Sequence, residues 1–190
     1  MGEHEVHWRQ FLKSLASRGL TGVRFIVSDA HEGLKAARKA VFGGATWQRC
    51  QFHLQQNAQA YVPKKNMKRD VANDIRQIFN ASSQDEAKDV LQRFIKKYQS
   101  KAPELAEWAE TNVPESLAVF ALPTEHRKRM RTSNLIERIN KEIKRRTKTA
   151  TLFPNEASCL RLVTAILAEI SEEWQTGRIY LNMNIKNEND

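Results

Sequence analysis

The spacing of apolar positions is helical over most of the chain. Trp8, Phe11, Leu12 and Leu15 recur at intervals of three and four, which predicts an amphipathic helix over residues 3–18, closed by Gly19. The next run, Val23-Arg24-Phe25-Ile26-Val27-Ser28, is short and nearly all apolar. It predicts a strand buried on both faces and ending at Asp29. Residues 31–41 return to helical spacing before Gly43-Gly44 interrupts them, and Ala45 to Cys50 predicts a second strand. Strand, helix and strand in that order make a parallel βαβ unit.

Beyond His53 the pattern stays helical. Met67, Val71, Ile75 and Ile78 mark one helix. Ser83-Gln84-Asp85-Glu86 has the form of a capping box, followed by a stripe of Ala87, Val90, Leu91, Phe94, Ile95 and Tyr98. Pro103 stands where a first helical residue is favoured, ahead of Leu105 and Trp108. Residues 132–148 and 154–176 predict two more helices, the last with Leu160, Val163, Leu167, Ile170 and Trp174 on one face. Residues 182–190 read as a polar, frayed tail. A two-stranded sheet is too small to stand alone. Either further strands lie outside this chain or a partner supplies them.

Composition narrows the class. Only 7 glycines and 5 prolines in 190 residues argue against a turn-rich β protein. No run approaches the roughly 18 apolar residues of a membrane span, and the polar start, Met1-Gly2-Glu3-His4, has no secretory core. Cys50 and Cys159 are too few for a disulfide framework and fit a reducing compartment. The expected setting is cytoplasmic. Charge adds a partner: the net +9 is concentrated between Thr124 and Ala150, where Arg127, Lys128, Arg129, Arg131, Arg138, Lys141, Lys144, Arg145, Arg146 and Lys148 face only three acidic residues. Such a run is either a polyanion-binding stripe or a solvated helix face.

Several side chains are candidates for chemistry. Asp29 lies just past a parallel strand, in the crevice where open α/β sheets hold ligands; alternatively Asp29, or Ser28, caps the next helix. On a helical wheel Ile136, Ile139 and Ile143 share one face, and Glu137, Asn140, Lys141 and Lys144 the other. A carboxylate among amide and ammonium groups suits a metal beside phosphate. Glu137 also fits a capping box with Asn134 as N-cap. Cys50-x-x-His53 gives two ligands where zinc needs three or four, and His31, His126 and Cys159 complete it only at irregular spacing, so a packed Cys/His pair is favoured over zinc. Trp108 offers a stacking platform for a base or a core ring, and its neighbours Leu105 and Ala109 favour the core. No glycine-rich phosphate loop or serine elbow is present.

Three blocks taken together, Val27-Ser28-Asp29-Ala30-His31-Glu32-Gly33-Leu34, Trp47-Gln48-Arg49-Cys50-Gln51-Phe52-His53 and Ser133-Asn134-Leu135-Ile136-Glu137-Arg138-Ile139-Asn140, resemble the mutator-type insertion-sequence transposases. The resemblance runs from about Trp8 to about Met183. It implies an α/β, helix-dominated chain with a partial ribonuclease H-like core of short parallel strands and an all-helical insertion. It further implies DNA cleavage and strand transfer, with two aspartates and a glutamate holding two magnesium or manganese ions. Asp29 corresponds to the second aspartate and Glu137 to the glutamate, as catalytic and metal-binding residues. Cys50 and His53 match a signature that supports the site's shape, and Arg138, Asn140, Lys141, Lys144, Arg145 and Arg146 match a DNA-facing basic helix.

On this reading residues 1–60 are the remaining part of the core, 61–125 the insertion, 126–180 the C-terminal core helices and 181–190 the tail. No aspartate precedes Asp29, so the expectation is the C-terminal part of a transposase lacking the first catalytic aspartate, with little or no strand transfer alone. Expected partners are DNA, as terminal repeats and target, and a second copy or an intact transposase, but no membrane. Association with the nucleoid follows. A non-catalytic, basic, helical nucleic-acid-binding or regulatory fragment is the alternative. A plain ribonuclease leaves the insertion without a use.

Overall fold

The computed structural model describes residues 5–150, 152–177 and 181–182; most of the expected polar tail lies outside them. The chain divides into two units, Met1–Thr132 and Ser133–Asp190. The first holds α1 (Glu5–Ser17), β1 (Phe25–Ser28), α2 (Glu32–Val41), β2 (Thr46–Arg49), α3 (Gln51–Ala58), α4 (Lys68–Phe79), α5 (Gln84–Tyr98), α6 (Pro103–Asn112) and α7 (Thr124–Met130). The second holds α8 (Asn134–Thr149) and α9 (Glu156–Thr176). The described residues are helix-dominated with a short two-stranded parallel sheet, consistent with an α/β class.

α1 ends in a Schellman motif: Gly19 N–H donates to Ala16 O at 3.0 Å and Leu20 N–H to Leu15 O at 3.1 Å. Closing that turn puts Gly19 at φ +100°, a conformation that side chains disfavour. α1 then packs on α2, with Leu12 and Ala37 buried. β1 and β2 pair in parallel with Phe25 opposite Thr46 and Ser28 opposite Arg49. The expected burial of β1 on both faces is not observed: all four of its residues are half-buried. The described sheet has two strands, so its apolar side chains are only partly covered, Phe25 by the helical core.

That core is built from α3 to α6 and the 3-10 turns after α6, around Leu54, Val71, Ile75, Ile78, Leu91 and Leu105. Trp108 belongs to it, 8% exposed, with its ring stacked on Tyr61 at 5.3 Å. Pro103 opens α6 as its first residue. Ser83 caps α5, its Oγ accepting from Glu86 N–H at 3.1 Å. The return bond reaches one residue further back than a capping box requires, because the Glu86 carboxylate accepts from the N–H and hydroxyl of Ser82, each at 2.6 Å. Those two bonds hold its pKa below the ordinary value. Across α4 and α5, Tyr98 donates to Asp74 at 2.7 Å, and burial together with this carboxylate pushes the phenol's pKa up.

In the second unit α8 packs on α9. The stripe expected to bury α9 is displaced: Leu160, Leu167 and Trp174 are 66%, 41% and 43% exposed, whereas Ile166 is fully buried. Leu162, Val163 and Ile170 are half-buried beside Ile166, so the inward seam runs through these residues. On α8, Ile136 is likewise exposed, while Ile139 and Ile143 are half-buried.

Candidate functional site

The sheet register brings one cluster together. With Ser28 opposite Arg49, the next residues, Asp29 and Cys50, leave the carboxyl ends of neighbouring strands, and Cys50 N–H donates to Ser28 O at 2.8 Å. Cys50 is the N-cap of α3, and His53 stands three residues later on that helix. One ligand atom from each of Asp29, Cys50 and His53 lies within 4.8 Å of the other two. Asp29 Oδ1 meets His53 Nδ1 at 2.5 Å. The Cys50 thiol is buried, whereas the side chains of His53 and Asp29 are 28% and 54% exposed, so the cluster has a wet side. The edge of Phe52 flanks the His53 ring at 5.3 Å.

Asp29 is not the cap of α2. That place is taken by His31, whose Nδ1 accepts from Leu34 N–H at 3.2 Å. Asp29 contributes only its main-chain oxygen to the turn, accepting from His31 N–H at 2.9 Å. Its carboxylate is thus available to Cys50 and His53, a third donor that sequence spacing does not reveal because it arrives through strand pairing. His126 is buried in α7 and lies outside the cluster.

A buried polar clamp fixes β2 beneath this cluster. Gln48, fully buried, donates to Ser116 O at 2.7 Å and Arg49 O at 2.8 Å and accepts from Val119 N–H at 2.7 Å. Gln51 also donates to Ser116 O, at 2.9 Å. Arg49, 4% exposed, donates to Asn112 at 2.6 Å and Glu115 at 3.1 Å. Glu115 continues to Lys35 at 2.7 Å. Burial pulls the Lys35 pKa down, but hydrogen bonds from its ammonium to Glu115 and Glu32 outweigh that and raise it. The signal in the sequence was three long polar side chains, Gln48, Arg49 and Gln51, in and beside a strand otherwise placed for burial.

The basic run between Thr124 and Ala150 has two kinds of member. Arg127 donates to Leu122 O at 2.9 Å and Ser82 O at 2.8 Å, and Arg131 to Asn80 at 3.1 Å, so these two staple α7 to the α4–α5 connection. On α8, Arg138, Asn140, Lys141 and Lys144 are exposed. Arg145 forms two bonds to Glu142, at 2.7 and 2.8 Å, and Arg146 bridges Glu142 at 2.7 Å and Glu169 at 2.6 and 2.8 Å. Glu137 is half-buried, and Ser133, which is the N-cap of α8, donates its hydroxyl to the Glu137 carboxylate at 2.7 Å. The expected box with Asn134 as N-cap does not form, because the helix already includes Asn134.

Residues 1–177 match the family model described as transposase, mutator family. The chain belongs to that family. It is similar to the transposase for insertion sequence element IS406 of Burkholderia multivorans, 54% identical over 182 residues that cover 96% of this chain and 47% of the relative. The transposase for ISRM5 of Rhizobium meliloti is 40% identical over 93% of this chain and 44% of its own length. The transposase for IS256 in transposon Tn4001 of Staphylococcus aureus is 34% identical over 95% of this chain and 47% of its own. The chain spans about half the length of these curated relatives.

Of the residues that the mutator-family resemblance singled out, the first unit joins Asp29, Cys50 and His53. Glu137 and the basic side chains of α8 belong to the second. Within that unit, α8 and α9 border a groove of about 450 Å³ lined by Arg138, Lys141, Arg145, Glu169 and Trp174. Arg145 and then Arg146 hold the Glu142 carboxyl down to about 2, and Arg146 lowers Glu169. Glu142 has an ordinary value of 4.5, so its unfolded form takes up a proton before its folded form does. The stabilisation it provides is therefore complete above about pH 4.5 and lost as pH falls from there towards 2. We expect circular dichroism at helical wavelengths to show the α8–α9 pair loosening in that acid window. Arg146→Gln should flatten this part of the titration; an unchanged acid profile in that variant would refute the assignment.

Proposed function

We propose that the chain acts in DNA transposition, as a segment of a mutator-family transposase built on a ribonuclease H-like core. The observation that carries this reading is the register of β1 on β2, which presents the Asp29 carboxylate at the carboxyl end of the sheet beside Cys50 and His53. Asp29 in the first unit and Glu137 in the second would each serve as a carboxylate ligand for divalent ions. Exposed or half-exposed carboxylate oxygens suit magnesium or manganese, which take oxygen ligands and keep several waters. Such an ion, when bound, supplies Lewis-acid activation of water or a DNA 3′-hydroxyl and charge stabilisation at the phosphodiester.

The chain's own side chains supply the rest. Arg138, Lys141 and Lys144 would neutralise DNA phosphates along α8, with the Asn140 amide donating between them, which positions the duplex without reading its sequence. Arg145 and Arg146 already satisfy Glu142 and Glu169, so they would contribute less to DNA than their exposure suggests. Work on DNA fits a place at the nucleoid. No helix among the described residues is long and apolar enough to cross a membrane.

Duplex DNA carrying an element's terminal repeat, titrated with the chain over a range of salt, tests this. Reversing Arg138, Lys141 and Lys144 to glutamate should weaken binding at least about tenfold and reduce the salt slope by about 0.9 for each phosphate that is no longer neutralised. Asp29→Asn and Glu137→Gln should instead leave DNA binding intact or tighter while weakening Mn²⁺ binding. Unchanged affinity and slope in the triple variant would overturn the DNA-facing role of α8. Undiminished Mn²⁺ binding in both carboxylate variants would overturn the metal role.

A further inference from the structure

We propose that Asp29, Cys50 and His53 form a site for a thiophilic divalent cation of the zinc or cobalt class, with three protein ligands and a fourth position open to solvent. The three donors, a carboxylate oxygen, an imidazole nitrogen and a thiol sulfur, form a set that such ions take and that magnesium does not. Their placement is built by the backbone. Strand pairing sets Asp29 beside Cys50, and the first turn of α3 sets His53 over the same spot.

The distances are close to what an ion requires. A tetrahedral zinc ion with bonds of about 2.0 Å to nitrogen or oxygen and 2.3 Å to sulfur holds its ligand atoms roughly 3.3–3.7 Å apart. Here all three ligand atoms already lie within 4.8 Å of one another. Accommodation needs the Asp29–His53 contact of 2.5 Å to open by about 1 Å, which the exposed Asp29 side chain permits, and the thiol, within 4.8 Å of both partners, to approach by at most about as much. The buried sulfur anchors one side of the ion, and the exposed aspartate and half-exposed histidine leave its opposite side to water. The Phe52 ring packs against the imidazole in a T-shaped arrangement at 5.3 Å. Three protein ligands with one position left to water depart from the closed, four-ligand pattern of structural zinc sites.

This assignment stands on the first unit alone and does not depend on the chain acting on DNA. It does have a consequence for the proposed magnesium pair, since both ions need Asp29. A thiophilic ion at Cys50 and His53 would occupy the carboxylate and compete with the harder ion.

The test is a titration of the reduced chain with Co²⁺ under anaerobic conditions. One equivalent should produce the near-ultraviolet thiolate-to-cobalt charge-transfer band and the visible bands of a four-coordinate ion, and Zn²⁺ should displace both. Cys50→Ser should lose the charge-transfer band, whereas Cys159→Ser should keep it. Removing an outer partner of a metal ligand costs about 10- to 100-fold in affinity, so losing a direct ligand should cost at least as much. Asp29→Asn and His53→Gln, both at exposed or half-exposed positions, should therefore each weaken Co²⁺ binding by about tenfold or more, and they serve if the buried Cys50 variant does not fold. Absence of the band at millimolar Co²⁺ would overturn the proposal. So would a band that survives Cys50→Ser, or affinities unchanged in both the Asp29 and His53 variants. DNA affinity and its salt slope, measured on the same samples, report separately on the transposase reading.

Discussion

Trp108→Ala should lower the unfolding free energy of the first unit by about 4 kcal/mol, the middle of the range for losing a large aromatic ring from a core. The ring is 8% exposed, packed among residues of α3 to α6 and stacked on Tyr61 with 26° between the planes. Truncation removes the stacking partner of Tyr61 and leaves a cavity that several helices would have to move to fill. Trp108→Phe keeps a ring and should recover more than half of the loss. Urea unfolding followed by circular dichroism measures both. A loss below about 1 kcal/mol would mean that the ring is a surface platform, as a base-stacking role would require, and not a core member.

Gln48→Leu should cost about 3 kcal/mol although it replaces a polar side chain with an apolar one of similar size in a fully buried position. Leucine cannot accept from Val119 N–H, nor donate to Arg49 O, so two buried main-chain groups lose their partner. Ser116 O is better protected, because Gln51 still donates to it. The cost therefore arises from what is left unpaired, not from the bonds as such. Gln48→Glu should be worse, since it keeps the acceptor, loses both donors and brings a charge into a dry position. Accelerated hydrogen exchange at the Val119 amide would locate the effect. A leucine variant as stable as wild type, with Val119 still protected, would show that the clamp adds nothing.

In the first unit α1, α2 and α4 to α6 were legible from their apolar spacing, whereas the short α3 and α7 were given no bounds. The spacing of Val71, Ile75 and Ile78, the N-cap at Ser83 and the first-turn Pro103 located α4, α5 and α6 to within a residue or two. The parallel pair was legible from two short runs separated by a helix. α9 was legible as a helix but its buried face was not, because apolar residues occupy most of its circumference, from Leu160 and Leu162 through Ala165 and Ile166 to Ile170. A period of 3.6 then fits several faces, and the buried one is centred on Ile166. β1 read as buried because its residues are apolar, but composition records a side chain's preference and not what covers it.

At the candidate site, motif spelling found Cys50 and His53 as a pair and Asp29 separately. Joining them required the register, a long-range property with no local signature. Charge was misleading in the opposite direction. Arg127 and Arg131 count towards a basic run, yet their bonds to Ser82, Leu122 and Asn80 are structural.

A parallel pair with a fixed register also works as a ruler. If a residue gained or lost between Val41 and Thr46 were taken up by the register and not by the loop, the second strand would slide by one place and turn Cys50 to the opposite side of the sheet from Asp29. The Cys-x-x-His spelling would survive untouched while its acidic companion was lost. The length of a short connector, which no motif records, thus bears on whether Asp29 meets the Cys50–His53 pair at all.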